Sequence, residues 1–133
     1  MKAAVYQGSQ QLTIEDIPIP EPGPGEILVK VGYSAICGTD VHAFLYDIAP
    51  PGAVMGHEFS GSVVAIGSGV NRWKIGDRLV GGGGNPPPGM EAPLRRQQQY
   101  NYRLEGFADD RKRGYAEYTL LTEWAPSPIP ENV

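Results

Sequence analysis

The chain has 133 residues, 41% of them hydrophobic and 20% charged, which predicts one globular domain with a core of its own. Its net charge of -4 removes the electrostatic case for binding nucleic acid or an anionic membrane surface. No apolar run approaches the roughly 20 residues that span a bilayer, and the polar start "MKAAVYQGSQ" does not resemble a secretory signal. We therefore expect a cytoplasmic protein.

The first half of the chain predicts short strands and one short helix. "MKAAVY" and "LTIEDI" favour strands, whereas the prolines at every second position from Pro18 to Pro24 favour an extended loop. "ILVKVGYSAI" alternates apolar and polar residues and predicts the strongest strand of this half. "GTDVHAFL" predicts a helix of about two turns, with Thr39 or Asp40 as its N-cap.

The second half continues the strand pattern around one long interruption. "EFSGSVVAIGSGV" predicts a strand in which Gly61 marks a bulge or a close backbone approach, and a further strand is expected to begin at Arg78. Residues 81–113 predict an irregular surface loop, because this segment is rich in glycine, proline, glutamine and charge. "GYAEYTLL" then resumes the strand pattern. The whole pattern predicts a mainly β barrel or sandwich.

The residues best suited to chemistry are clustered in sequence. Cys37, His42 and His57 are all the cysteines and histidines of the chain, and Glu58 follows His57 directly. A thiolate and an imidazole are donors that suit zinc. The spacing between Cys37 and His57 is no standard structural-zinc spacing, so a small buried cysteine and an ordinary strand histidine remain an open alternative.

Two other kinds of site find no support in the sequence. "HEFSG" lacks the second histidine of the helical zinc-protease motif. The GxGxxG fingerprint of dinucleotide-binding folds does not occur, and the glycines of "GGGGNPPPG" are followed by prolines instead of a helix. We therefore expect the isolated chain to bind no NAD(P) with useful affinity.

Several motifs in a fixed order give the chain a specific resemblance. "EPGPGEILVKV", "ICGTDVH", "GHEFSGSVVAIGSGVNRWKIGDRL" and "GYAEY" closely resemble the N-terminal catalytic domain of zinc-dependent medium-chain alcohol dehydrogenases. The resemblance covers residues 1–80 and 113–133. It implies a mainly β fold, a GroES-like β-barrel with short helices, formed by residues 1–133 as a single domain.

The resemblance also implies roles for individual residues. Cys37 and His57 resemble catalytic-zinc ligands, and Glu58 resembles the acidic neighbour that can approach the zinc. Thr39 matches the hydroxyl of a proton relay, and His42 matches its solvent-side base. Asp40 matches a position that anchors the zinc-site histidine. The implied reaction oxidises a small-molecule alcohol to a carbonyl, with zinc lowering the pKa of the alcohol and NAD(P) accepting hydride.

The chain departs from this family in two respects. Residues 81–113 contain no cysteine, so they replace the lobe that commonly binds a structural zinc in the family. The nucleotide-binding domain and a further zinc ligand of the family have no counterpart in these 133 residues. We therefore expect an inactive fragment that is zinc-free or partly loaded, with Cys37 and His57 side by side. We also expect residues 81–113 to be the most irregular part, and exposed apolar surface to promote self-association.

Two alternatives of other classes remain open from the sequence. One is a stand-alone GroES-like binding or oligomerisation module without catalysis. The other is the zinc-free quinone reductase branch of the same superfamily, against which the pair of Cys37 and His57 argues. Metal content discriminates between these readings.

Overall fold

The structure is a computed structural model, which describes residues 1–81 and 114–133 of the chain. The predicted irregular loop lies outside these residues, except for its first residue. Gly81 does not begin a loop, because it ends a strand that pairs with Phe59. No helix within the described ranges has the length and apolar character needed to cross a membrane.

Antiparallel strands are the main regular elements of the described chain, which confirms the prediction of a mainly β, GroES-like fold. The elements are β1 (Lys2–Gly8), β2 (Gln11–Asp16), β3 (Glu26–Ser34), α1 (Gly38–Leu45), β4 (Phe59–Ile66), β5 (Arg78–Gly81), β6 (Tyr118–Thr122) and β7 (Ser127–Pro128). Strands β1 and β2 form a hairpin, and the other five form one sheet in the order β6-β3-β4-β5-β7. The strand expected to begin at Arg78 does so, and the proline-rich segment between β2 and β3 is outside both sheets.

The core of the larger sheet follows from the alternation of β3. Ile27 and Val29 are fully buried and pack with Val63 of β4 and Leu79 of β5. Burying side chains of this size stabilises the fold by about 1.5–3 kcal/mol each. Strands β3 and β4 thereby form a rigid centre whose ends carry the candidate site.

The close backbone approach expected at Gly61 is present between β3 and β4. A Cβ atom at Gly61 would collide with the carbonyl oxygen of Lys30 and lie 2.7 Å from a methyl group of Val29. The register of the two strands shifts between Val31 and Tyr33, directly beside this contact. Only glycine allows the two backbones to lie this close, so this position fixes the register that continues toward the site.

The predicted helix is confirmed, but its predicted cap is wrong. Cys37 is the N-cap of α1, and Asp40 is the third residue of the helix rather than its cap. One carboxylate oxygen of Asp40 accepts a hydrogen bond from the backbone N–H of Cys37 at 3.0 Å. In a capping box, the side chain of the third helical residue accepts the backbone N–H of the N-cap residue, as Asp40 does here. The acidic residue therefore stabilises the start of the helix from inside its first turn.

Candidate metal centre

Pairing of β3 with β4 brings the candidate ligands together. Ser34 pairs with Phe59 at the end of the two strands, and the N–H of Ala35 donates to the carbonyl of Glu58 at 2.8 Å. The chain leaving β3 therefore runs beside the chain entering β4. Cys37 follows the first of these segments, and His57 belongs to the second. The ligand atoms of Cys37, His57 and Glu58 all lie within 4.8 Å of one another.

The donor set fits a zinc ion. Zinc bonds to sulfur at about 2.3 Å and to nitrogen at about 2.0 Å, so two tetrahedral donors are about 3.5 Å apart. The donor atoms of Cys37, His57 and Glu58 could reach this separation by small side-chain movements, since none lies more than 4.8 Å from another. One thiolate, one imidazole and one carboxylate are ligand types that zinc accepts, and three protein ligands leave one position open. The arrangement therefore has the form of a catalytic rather than a closed structural site.

Asp40 connects the segment that carries Cys37 to the segment that carries His57. Its side chain is 2% exposed, and it accepts the N–H of Cys37 at 3.0 Å and the N–H of Gly56 at 3.2 Å. The same carboxylate lies 3.4 Å from Nδ1 of His57. Because Nδ1 faces Asp40, Nε2 is the ring nitrogen left to face a metal ion. A carboxylate behind a ligating histidine fixes the ring orientation and the tautomer.

The contacts between Asp40 and His57 shift the pKa values of both residues. The hydrogen bond that His57 donates to Asp40 raises the pKa of His57 to about 8, against the opposing effect of burial. Burial acts to raise the pKa of Asp40, but hydrogen bonds from His57 and from two backbone N–H groups outweigh it and leave that pKa lowered. In the metal-free protein, Asp40 therefore favours a charged imidazolium, which a metal ion must deprotonate to bind.

Cys37 has a pKa suited to metal binding. Hydrogen bonds from the backbone and the hydroxyl of Thr39 lower the pKa of the thiol, and His57 lowers it further. Sγ of Cys37 lies 3.8 Å from the hydroxyl oxygen of Thr39. A lowered pKa favours the thiolate, which is the form that binds metal.

Thr39 and His42 differ in their distance from the donors. Thr39 is half-buried and contacts Cys37, so its hydroxyl lies at the site. His42 is exposed on the same helix three residues later, with its ring 5.8 Å from that of Tyr46 in an edge arrangement. Residues three apart lie on one face of a helix, so His42 lies on the solvent side of Thr39. No hydrogen bond joins the two among the residues described.

Tyr115 belongs to the site although no sequence pattern singled it out. Its ring packs against Gly56, and its hydroxyl lies 3.4 Å from the carbonyl oxygen of Ala35. Burial first and the nearby Asp40 carboxylate second raise the pKa of Tyr115, so the hydroxyl keeps its proton. "GYAEY" predicted a strand and carried part of the family resemblance. Strand β6 begins only at Tyr118, so Tyr115 lies before it, and its contact with Gly56 arises from the tertiary fold.

Comparison with known proteins agrees with the fold and the cluster. The profile of the alcohol dehydrogenase GroES-like domain matches residues 23–131, most of the chain and all of the candidate site. The chain belongs to this family. The resemblance inferred from the motifs is thereby confirmed.

The family's relatives include several kinds of dehydrogenase and reductase. The chain is 37% identical over 140 aligned positions to an L-threonine 3-dehydrogenase of Rhizobium etli, covering 100% of this chain and 40% of that protein. Among solved structures, it resembles acetophenone reductase from Geotrichum candidum in complex with NAD, with a TM-score of 0.75, 31% identity and coverage of 99% and 40%. It also resembles 2R,3R-butanediol dehydrogenase from Bacillus subtilis, with a TM-score of 0.75, 29% identity and coverage of 99% and 41%. The chain thus spans about 40% of the length of these relatives.

Proposed function

We propose that the chain is the catalytic, zinc-binding part of an NAD(P)-dependent dehydrogenase that oxidises a small-molecule alcohol to a carbonyl. The observation that carries this proposal is the convergence of Cys37, His57 and Glu58 within 4.8 Å, with the hydroxyl of Thr39 beside the sulfur. A GroES-like module that served only for binding would need none of these side chains. The names of the relatives, which act on alcohols or ketones, support the same class of substrate.

The proposed ligands are Sγ of Cys37, Nε2 of His57 and the carboxylate of Glu58. A zinc ion bound by them would polarise the substrate oxygen and lower the pKa of the alcohol. Asp40 holds the His57 ring by its Nδ1, and Thr39 stabilises the Cys37 thiolate by a hydrogen bond. These two residues therefore orient the ligands and set their charge.

The proposed proton path leads from the substrate to solvent along α1. The Thr39 hydroxyl accepts the proton of the alcohol while it releases its own proton toward His42 and solvent, because it is the half-buried hydroxyl beside the donor cluster. His42 then passes the proton to water, since its imidazole is exposed one helical turn further on and can both accept and donate a proton. Removing either side chain is expected to slow the reaction.

The proposed hydride acceptor is a nicotinamide bound outside these 133 residues. The sequence contains no phosphate-binding GxGxxG, whereas one similar solved structure is described in complex with NAD. The chain by itself is therefore expected to bind no NAD(P) and to be inactive. Isothermal titration calorimetry with NAD and NADP checks this, and micromolar binding to the isolated chain would contradict it.

Metal affinity tests the proposed site directly. We expect the purified chain to be largely zinc-free or only partly loaded, and added zinc to bind with a stoichiometry of one, with Glu58 completing the site. His57→Gln should weaken zinc binding by more than about 100-fold, beyond the effect of losing a supporting partner. His42→Gln is the matched control, since it removes the only other imidazole and should leave zinc affinity unchanged.

Two outcomes would reject the proposed site. If the chain bound no zinc at any supply, the non-catalytic GroES-like module would be favoured. If His42→Gln weakened binding as strongly as His57→Gln, the metal would lie elsewhere than at the proposed donors. Elemental analysis measures whether the chain binds zinc at all, and competition against a chelator of known affinity compares the zinc affinities of the two variants.

A further inference from the structure

We infer that Tyr115 is a positioning residue of the metal centre, which holds the segment carrying His57 against the segment carrying Cys37. The inference rests on the metal site of the proposed function and adds to it a residue that contacts neither the substrate nor the metal. Tyr115 reaches both segments, through its ring on one side and its hydroxyl on the other. It would therefore set the distance between the sulfur and the imidazole.

The backbone around Tyr115 forms the first part of this link. Gly114 donates to the carbonyl of Gly56 at 2.9 Å, and Tyr115 donates to the carbonyl of Met55 at 3.0 Å. The carbonyl of Tyr115 in turn accepts the N–H of Ala4 in β1 at 2.8 Å. The two residues that precede His57 are thus tied, through Gly114 and Tyr115, to the N-terminal hairpin.

The ring of Tyr115 forms the second part. Gly56 has a φ of +88°, and a Cβ atom at this position would lie 2.5 Å from Cδ1 and 2.8 Å from Cε1 of Tyr115. The ring therefore occupies the space beside the glycine turn and leaves the turn no room to shift toward it. His57 is the next residue, so the direction in which its side chain leaves the backbone depends on this packing.

The hydroxyl of Tyr115 forms the third part. It lies 3.4 Å from the carbonyl oxygen of Ala35, two residues before Cys37. At that distance the bond is weak, so the ring contact should dominate and the hydroxyl should contribute less. Asp40 joins the same two segments by its own hydrogen bonds, and Tyr115, whose hydroxyl is close to that carboxylate, is a second link between them.

Loss of this brace should weaken the metal site more than the fold. A site whose donors are misplaced by about 1 Å is a common cause of weak binding, and residues that support ligands typically change metal affinity by 10–100-fold. Tyr115→Leu removes the ring and should lie in that range. Tyr115→Phe keeps the ring on Gly56 and should stay within about threefold of the unmodified chain.

Cobalt(II) is the suitable probe, because its visible spectrum reports the geometry of its ligands. We expect Tyr115→Leu to bind cobalt 10–100-fold more weakly and with altered absorption bands, and Tyr115→Phe to restore both. Leu79→Ala is the control for general destabilisation, because Leu79 is fully buried in β5 within the core of the larger sheet. It should lower the free energy of unfolding, yet keep the cobalt affinity and spectrum.

The inference is overturned if Tyr115→Leu keeps the affinity and the spectrum, or if Leu79→Ala loses both to the same degree. NMR of the unmodified, metal-free chain gives a test that needs no variant. It should show Overhauser contacts between the Tyr115 ring and the α protons of Gly56, and their absence would overturn the inference. If the unmodified chain bound no cobalt, the proposed function would fail, while these contacts would still decide the placement of Tyr115.

Discussion

Asp40 is the single residue on which the charge of the candidate site depends most directly. It is buried, and it contacts His57, the N–H of Cys37 and the N–H of Gly56. A buried carboxylate is tolerated only when its oxygens are hydrogen-bonded, and here both of them are. The same contacts that make Asp40 acceptable in the interior also hold the two ligand-bearing segments together.

Removing the negative charge of Asp40 should lower the pKa of His57. In Asp40→Asn, the pKa of His57 should fall from about 8 toward its usual value near 6.5, because the largest cause of its rise is the hydrogen bond that it donates to Asp40. NMR titration of the ring protons in the metal-free protein measures this change. Asp77→Asn is the matched control, since that carboxylate caps a turn by accepting the N–H of Lys74. A His57 pKa unchanged by Asp40→Asn would contradict the assignment.

The same pKa shift predicts how stability depends on pH in the metal-free protein. The pKa of His57 is higher in the folded state than in the unfolded state, so its ion pair stabilises the fold fully below about pH 6.5. This contribution should be lost as the pH rises through about 8. The difference in the free energy of unfolding between the unmodified chain and Asp40→Asn should therefore shrink between pH 6.5 and 8.5, as measured by urea denaturation. A difference that grew over this range would contradict the ion pair.

Among the elements, the antiparallel pairing of β3 with β4 determines where the site lies. Gly61 allows the two backbones to approach, and the register beyond it leads to the pairing of Ser34 with Phe59. A one-residue slip would turn every side chain of β4 to the opposite face. It would also displace the segment that carries His57 relative to Cys37.

Gly61→Ala should therefore destabilise the chain by about 1–3 kcal/mol, which is the usual cost of overpacking. The added methyl group would collide with the Lys30 carbonyl, and backbone cannot move aside as a flexible side chain can. Gly38→Ala in α1 is the control, because a Cβ there meets no atom within 4 Å and alanine favours helix. Urea denaturation of both variants checks the difference. Equal stability of the two variants would disprove the close approach.

The hairpin of β1 and β2 positions the helix that carries Thr39 and His42. The hydroxyl of Tyr6 in β1 donates to the carboxylate of Asp47, just beyond α1, and lies 3.1 Å from the carbonyl of Phe44. Asp47 also accepts the N–H of Ser9 in the hairpin turn at 2.7 Å. The end of the helix and the hairpin are thereby joined by one polar cluster.

Tyr6→Phe should lower the free energy of unfolding by about 1–2 kcal/mol, because it removes the hydroxyl from a fully buried tyrosine and leaves Asp47 with fewer partners. Tyr118→Phe removes a hydroxyl from β6, where Tyr118 pairs with Lys30, and is the matched control. Thermal unfolding followed by circular dichroism compares the two. A larger loss for Tyr118→Phe would contradict the role given to the Tyr6 cluster.

For the whole molecule, metal binding and folding should be coupled. The donors come from two segments that meet only in the folded state, so zinc binds the folded chain in preference to the unfolded one. Zinc at 100 times its dissociation constant should add about 2.7 kcal/mol to the free energy of unfolding. Differential scanning calorimetry should show this as a rise in Tm that Cys37→Ser abolishes. An equal rise for Cys37→Ser would place the stabilising zinc at another site.

Self-association stays a prediction at this scale. The described residues expose large apolar side chains on the hairpin and around α1, including Ile14 at 69% and Tyr46 at 70%. Surfaces of this kind commonly take part in association. Light scattering across a range of protein concentrations decides the question, and a monomer at every concentration would disprove it.

The sequence by itself determined strands β1 to β6, the short helix and the types of residue available for chemistry, whereas no pattern predicted the two-residue strand β7. Alternation in β3, glycine at position 61 and the order of the motifs carry that information locally, so the mainly β fold and its family could be predicted. Cys37, His57 and Glu58 could be nominated because few residues bind zinc, while their roles as ligands stay a prediction. The resemblance had already implied that Cys37 and His57 lie side by side and that Asp40 anchors His57. The tertiary structure alone decided that Asp40 also accepts the N–H groups of Cys37 and Gly56, and that Tyr115 packs on Gly56. Contacts between residues far apart in the chain depend on strand register and packing, which no local pattern encodes.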